Sequence, residues 1–187
     1  SYHFQGGRHV FPMDVADELD AFCMAAYPEV EGFVLKWPLS VIRLRSTNRE
    51  SLLGAADHVL LAWRDWDAHE VGVVSHDADG TRHNTVTPIC RRRGEAYEMD
   101  LALRCNITTD EHPLGVFHPH AALHHIKKEN IGLIEVMGCA ILPARLKKEM
   151  TDLKKAVLEG ADYRSDEALE KHADWMDEIR SRHADLN

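Results

Sequence analysis

Near the start of the chain an imidazole is followed two residues later by a carboxamide and then by paired glycines: His3-Phe4-Gln5-Gly6-Gly7. Most of an ordinary imidazole, with its pKa of about 6.5, is deprotonated at neutral pH and is a competent neutral nucleophile. In an extended segment residues i and i+2 share a side. The Gln5 amide can then donate to a phosphate oxygen in front of His3 without adding charge, and the glycines let a phosphate come close to the backbone. That chemistry is nucleophilic attack on phosphorus. An exposed histidine near a chain end fits the same letters, so this pattern alone is a hypothesis.

Two further clusters carry reactive or binding side chains. Arg82-His83-Asn84-Thr85-Val86-Thr87-Pro88 leads to Arg91-Arg92-Arg93. His83, Thr85 and Thr87 fall on one side of a strand, which suits either a polar site or a solvated basic edge. Phe117-His118-Pro119-His120-Ala121-Ala122-Leu123-His124-His125 follows. An HxH pair on an extended segment can put two imidazoles on one metal, although the spacing is that of no recognised zinc site and hydrogen-bonded structural histidines would look the same. Lys127 and Lys128 precede an expected helix start, where cations beside the positive end of a helix attract phosphate; a solvated lysine pair is the bland reading. His172 and Trp175 read as packing of the last helix.

Composition bounds these options. The chain has 187 residues and a net charge of −9, a poor match for sequence-independent nucleic-acid binding, which needs Lys and Arg on phosphates. Apolar residues make up 44% and charged residues 28%, the balance of a globular domain that buries its own core. The longest apolar run, Ile131 to Leu142, contains Glu135 and is shorter than the roughly 18 residues of a membrane span. Neither nucleic acid nor membrane is an expected partner. The 4 cysteines (Cys23, Cys90, Cys105, Cys139) form no CxxC pair and read as reduced core thiols of a cytoplasmic protein. No leader precedes the first motif, so the chain reads as a fragment of a longer protein.

The elements that must position these residues follow from periodicity. Asp14 to Tyr27 has helical spacing at Val15, Leu19, Phe22 and Cys23, and Gly32 punctuates. Phe33 to Trp37 and Leu39 to Arg45 read as strands interrupted by Pro38. Thr47 to Glu50 has capping-box spacing, and a helix is expected from about 48 to 66. Glu70 to Ser75 reads as a strand and Asp77 to Gly80 as a turn. Thr81 to Arg92 and Ala96 to Asn106 read as strands joined at Arg93-Gly94, the three forming an antiparallel meander. Residues 110–125 read as loop, Asn130 to Leu142 as a buried helix, Leu146 to Gly160 as another, and Ser165 as the cap of a last one. The expected class is α+β, an antiparallel sheet with packed helices: residues 1–160 the catalytic region and 161–187 a C-terminal helix packed on it.

Several of these stretches together resemble one family. His3 to Met13 is similar to the HxHFQGGxxxFPM segment of the class II galactose-1-phosphate uridylyltransferases, Lys36 to Leu44 to their KWPxSVIRL strand and His83 to Ile89 to HNTxTPI. Residues 117–138, containing Leu123-His124-His125-Ile126-Lys127-Lys128-Glu129-Asn130-Ile131-Gly132-Leu133-Ile134-Glu135-Val136-Met137-Gly138, are nearly the family signature. The resemblance covers essentially the whole chain and points to the C-terminal region of longer enzymes. One departure is Ser1, which stands where the family has the first His of HxHxQ.

The resemblance implies a fold related to the histidine-triad superfamily and transfer of a uridylyl group between UDP-glucose and galactose 1-phosphate through a covalent uridylyl-histidine. His3 would be the nucleophile and Gln5 the amide that holds the phosphate. Arg8, Lys36, His83, Asn84, Lys128 and Glu135 would bind substrate, Lys128 suiting the phosphate and Glu135 the sugar hydroxyls, in a homodimer that also needs the N-terminal half. In related class I enzymes histidines of this half bind a metal. His83 would match one of them, but Asp100 and Ala102 stand where two others are expected. No metal site is therefore assigned, and zinc or iron stays open as a cofactor. Two rivals remain: a histidine-triad nucleotide hydrolase or phosphorylase, and a non-catalytic metal-binding module built on His118, His120, His124 and His125.

Overall fold

The computed structural model describes residues 4–183. The chain forms two compact units, residues 1–117 with 132–139, and residues 118–131 with 140–187.

The first unit is built on a five-stranded antiparallel sheet of β1 (Glu18–Met24), β2 (Tyr27–Leu35), β3 (Val41–Ser46), β4 (Asn84–Arg93) and β5 (Ala96–Cys105), in the order β1-β2-β3-β5-β4. The expected β4–β5 hairpin is present, turning at Gly94 with Arg93 opposite Ala96. Helix α1 (Arg49–Arg64) lies on one face, where Leu52, Ala55 and Ala56 pack on Val30, Leu44, Met99 and Leu101. Its cap is Asn48 rather than Thr47: Asn48 Oδ1 accepts from the amides of Glu50 at 3.0 Å and Ser51 at 3.2 Å, satisfying orphan donors of the first turn.

On the opposite face Met13, Leu35, Val41, Ile89, Ala102, Val136 and Met137 form a second core. Here the expected helix over 130–142 shrinks to one turn, α2 (Leu133–Val136). Gly138, at φ +95°, breaks it, a conformation that favours glycine. A methyl group on Gly138 would lie 2.8 Å from the Trp37 ring and 3.0 Å from Pro12. Gly138→Ala is therefore expected to cost about 2 kcal/mol or more, from backbone strain and overpacking together, read as a lower denaturant midpoint at unchanged slope.

Two other expectations fail in this unit. Residues 14–27 contain a short 3₁₀ turn, Pro12–Val15, and then β1 instead of a helix. Glu70 to Ser75 forms a 3₁₀ turn, His69–Val71, and isolated bridges rather than a third meander strand. The turn at 77–80 is present, with the Gly80 amide donating to the Asp77 carbonyl at 2.9 Å. The cysteines also differ from the expectation, for only Cys105 is buried, while Cys23, Cys90 and Cys139 are exposed free thiols.

The second unit holds α3 (Arg145–Glu159) and α4 (Ala173–Arg182). Gly160, in the left-handed conformation, stops α3 as its sequence position predicts. Leu153, Tyr163, Leu169 and Ala173 form its core, with Met150, Val157, Trp175 and Met176 packed around them. Ser165 caps no helix; α4 begins eight residues later, at Ala173. Among the described residues no helix is long and apolar enough to cross a membrane.

Candidate functional site

The motifs separated in sequence meet on the sheet face opposite α1. The Met13 amide donates to the Met137 carbonyl at 3.2 Å. The Trp37 indole donates to the Val136 carbonyl at 3.0 Å, and Arg43 Nη2 donates to the Met13 carbonyl at 2.8 Å. The FPM, KWP, SVIRL and EVMG stretches are thereby tied together, and Ile89 of HNTxTPI joins the same core. This clasp fixes the segment that leads back toward Gln5.

Beside it lies a ladder of ions that the sequence reading missed. Arg43 grips Asp100 with two bonds, at 2.7 and 2.9 Å. Arg91 reaches Glu98 and Asp100 at 2.8 Å each and Asp14 at 2.7 Å, and Arg45 binds Glu98 at 2.7 Å. Asp100 and Glu98 are 0% and 1% exposed. Burial alone would raise the Glu98 pKa, yet the hydrogen bonds from Arg45 and Arg91 and the charge of Arg43 outweigh it and hold it below the ordinary value. The alternation of β3, β4 and β5 puts these charges in register: Arg43 opposite Asp100, and Arg45 and Arg91 opposite Glu98. A cross-strand pairing of this kind is readable in a sequence only once the strand order is known.

His83 and Asn84 are buried, at 5% and 3% exposure, at the entry to β4. His83 Nδ1 donates to the Val74 carbonyl at 2.9 Å, and Nε2 faces Asp77 at 3.1 Å. Asn84 Nδ2 donates to the carbonyls of Trp63 and Trp66 at 2.9 and 2.8 Å, which closes the C-terminal end of α1. Both residues line an open cavity of about 470 Å³ together with Arg64, Arg82, Thr85 and Asn106. Arg64 and Asn106 escaped the sequence reading because Arg64 ends α1, Asn106 directly follows β5, and neither belongs to a motif.

The second unit contains a chain of acid–base groups. Glu149 accepts from Arg145 at 2.6 Å, Lys171 at 2.5 Å and His172 Nε2 at 3.0 Å. His172, 0% exposed, meets His125 through their Nδ1 atoms at 2.6 Å. Burial, followed by the charges of His172, Arg145 and Lys171, pushes the His125 pKa down. For Glu149 burial acts upward, and the bonds from Lys171, His172 and Arg145 overcome it, bringing the pKa to about 2 from 4.5. The carboxylate is thus favoured in the folded chain, and its stabilising effect is complete above about pH 4.5 and drains away as pH falls toward about 2. Glu149→Gln is expected to be less stable at neutral pH and to lose less of its remaining stability across that window, read from denaturant midpoints at stepped pH.

Among the described residues, the candidate ligands do not fit a metal. Asp100 gives both oxygens to guanidinium groups, His83 has both nitrogens engaged, and Ala102 has no donor atom. In the His118–His125 stretch, His118 faces Asn130 and the Pro119 carbonyl, and His124 faces that same carbonyl. Among the described residues no three His, Cys, Asp or Glu side chains are disposed to hold an ion.

Comparison with known proteins supplies the rest. The family model described as galactose-1-phosphate uridyl transferase, C-terminal domain, matches residues 2–177. The galactose-1-phosphate uridylyltransferase of Halalkalibacterium halodurans is 49% identical across 99% of this chain, which covers 37% of that protein. The protein of the same name from Streptococcus mutans is 48% identical, again over 99% of this chain and 37% of its own length. That of Enterococcus faecalis is 48% identical over 95% of this chain and 35% of its own. The chain belongs to the galactose-1-phosphate uridylyltransferase family. It spans a little over a third of the length of these relatives, and no solved structure matches it.

The residues that the family resemblance singles out fall in several places. His3 lies outside the described residues. Gln5, Arg8 and Lys36 are exposed in the first unit. Glu135, also there, accepts from the Gly132 amide at 2.8 Å and so caps α2. Lys128 is exposed in the second unit. Of the set, His83 and Asn84 share one cavity.

Proposed function

We propose that this chain is the C-terminal part of a UDP-glucose–hexose-1-phosphate uridylyltransferase of galactose metabolism, acting in the cytoplasm as a homodimer together with its N-terminal half. The observation that carries this reading is the near-complete match to the family's C-terminal domain, at 48–49% identity to relatives bearing the transferase name. Two in-line displacements account for the transfer. In the first, an imidazole nitrogen of His3 attacks the α-phosphorus of UDP-glucose. A P–N bond forms, and the P–O bond to the β-phosphate breaks, its electron pair leaving with glucose 1-phosphate. In the second, a phosphate oxygen of galactose 1-phosphate attacks that phosphorus, the P–N bond breaks, and UDP-galactose departs.

Gln5 donates to the transferring phosphate, and its neutrality suits a centre whose charge is redistributed rather than created. Arg8, Lys36 and Lys128 supply positive charge, and Glu135, His83 and Asn84 contact or position the sugar phosphate. A histidine-triad hydrolase or phosphorylase would instead pass the nucleotidyl group to water or phosphate. Feeding the full-length protein UDP-glucose labelled in the uridylyl phosphate, with galactose 1-phosphate, tests the choice. The label is expected in UDP-galactose, and label appearing as free UMP or UDP would overturn the transferase reading.

A further inference from the structure

The acid–base chain of the second unit has room for a fixed number of protons. The Glu149 carboxyl, its pKa brought to about 2, is a carboxylate near neutral pH and can only accept. The His172 Nε2 that meets it at 3.0 Å must therefore donate. A neutral imidazole carries one proton, so His172 Nδ1 is then an acceptor. It faces His125 Nδ1 at 2.6 Å, and the proton between the two rings belongs to His125. That leaves His125 Nε2 bare, and this atom is buried and has no hydrogen-bond partner. With both rings neutral, each contact along Glu149, His172 and His125 has one donor and one acceptor.

A third ring proton has one place to go in this closed arrangement. It is His125 Nε2, where the ring would become a buried cation whose donor has no acceptor. A fourth has none, because two N–H groups cannot face each other at 2.6 Å. The surroundings add to the resistance. On α3 the charged groups against the pair are Glu149 and Arg145, and on the 3₁₀ turn Glu170–His172 there is Lys171. Helix α4 presents the uncharged Trp175 ring, its centroid 5.6 Å from that of His125. Within the segment itself His118 and His124 turn to Asn130 and the Pro119 carbonyl. One carboxylate, already shared by three donors, stands against two cations. Burial and these charges push the His125 pKa down.

The pair holds the segment 118–131 in place. Its regular structure is one 3₁₀ turn, Ala121–Leu123, so side-chain bonds have to fix it. Arg145 Nη2 donates to the His125 carbonyl at 2.8 Å, and Lys127 and Lys128 follow directly. We propose that His125 and His172 form a proton-gated latch. It is closed while both rings are neutral, fixing the segment that carries Lys127 and Lys128 on α3 and the Glu170–His172 turn. Protonation of His125 opens it by sending the ring to water. That Lys128 so placed serves a phosphate rests on the proposed transferase reading; the latch does not.

The closed pair binds protons more weakly than a free imidazole with its pKa of about 6.5. Closure is therefore at full strength above that pH and is lost as pH falls below it. One proton taken up on opening makes the open fraction grow about tenfold between about pH 7.5 and 5.5.

Amide hydrogen exchange of the full-length protein without substrate tests the latch, so failure of the transferase reading leaves the result unchanged. Peptides across 118–131 are followed by mass spectrometry and corrected for the intrinsic rate at each pH. Their protection is expected to fall at least about tenfold from about pH 7.5 to 5.5, while peptides of β3 and β5 stay within about twofold. His125→Gln cannot take up the proton, and its profile over 118–131 is expected to be flat within about twofold. His125→Phe, which keeps a ring beside Trp175 without titrating, gives the same reading where the glutamine does not fold. A flat profile in the parent, or a fall of the same size in either folded variant, would overturn the latch.

Discussion

Asp100→Ala lowers the stability of the folded chain by about 3–5 kcal/mol, the expected cost of removing one member of a buried ion cluster. The carboxylate is fully buried and accepts from both Arg43 and Arg91. Without it, Arg43, itself 3% exposed, remains in the interior with only two more distant carboxylates beside it among the described residues, Glu98 at 3.6 Å and Glu18 at 3.8 Å. For a domain of this size each kcal/mol is worth roughly 2–4 °C, so the melting temperature should fall by about 6–20 °C. Replacing the pair together, Arg43→Met with Asp100→Leu, should cost less than the sum of the single changes, because no uncompensated charge is left. A single variant within about 1 kcal/mol of the parent would show that the ladder contributes little. The consequence for function is indirect: Arg43 also holds the Met13 carbonyl, so loosening Arg43 loosens the clasp at the base of the HFQGG segment.

The second large effect concerns the chemistry itself. In the full-length protein, His3→Ala is expected to reduce transfer from UDP-glucose to galactose 1-phosphate by at least about 10³–10⁴-fold, since no other step replaces a missing nucleophile. Gln5→Ala should cost less, about 10²-fold, with the loss in kcat rather than in KM if the amide acts on the transferring phosphate in the transition state. Steady-state rates over a grid of both substrates give both numbers. Parallel reciprocal plots in the parent, the sign of a ping-pong order, would agree with the losses in the variants. A His3→Ala protein that retains a tenth of the parent rate would remove His3 from the mechanism.

Much of the frame was legible because local signals agreed with tertiary structure. The apolar spacing at Leu52, Ala56, Val59 and Trp63 forms α1, the alternation Tyr97, Met99, Leu101, Leu103 forms β5, and Gly160 ends α3. The failures have physical causes. Helical spacing over Asp14 to Tyr27 is a coincidence in an edge strand whose register slips between Glu18 and Asp20 and again between Cys23 and Met24. Those irregularities erase the alternation that would have revealed it. Gly32, read as punctuation, sits inside β2 opposite Phe22, where a Cβ would lie 2.4 Å from the Phe22 ring. It makes room for an aromatic on the neighbouring strand, a demand that only the pairing discloses.

The candidate site divides in the same way. His83 stood out with Thr85 and Thr87 because three polar side chains on one side of a strand suit a polar site. The motif resemblance added Asn84. Arg64 and Asn106 join them only through the packing of α1 against the β4–β5 hairpin, and the Glu149–His172–His125 chain joins residues widely separated in sequence. No periodicity connects such positions.

The most direct measurement of the central claim is the intact mass of the full-length protein after incubation with UDP-glucose alone, followed by peptide mapping of any adduct. The mass is expected to rise by one uridylyl group, located on the peptide carrying His3 and discharged when galactose 1-phosphate is added. A protein that transfers uridylyl groups while its mass never changes, or an adduct mapping to a different residue, would contradict the covalent histidine at the heart of this account.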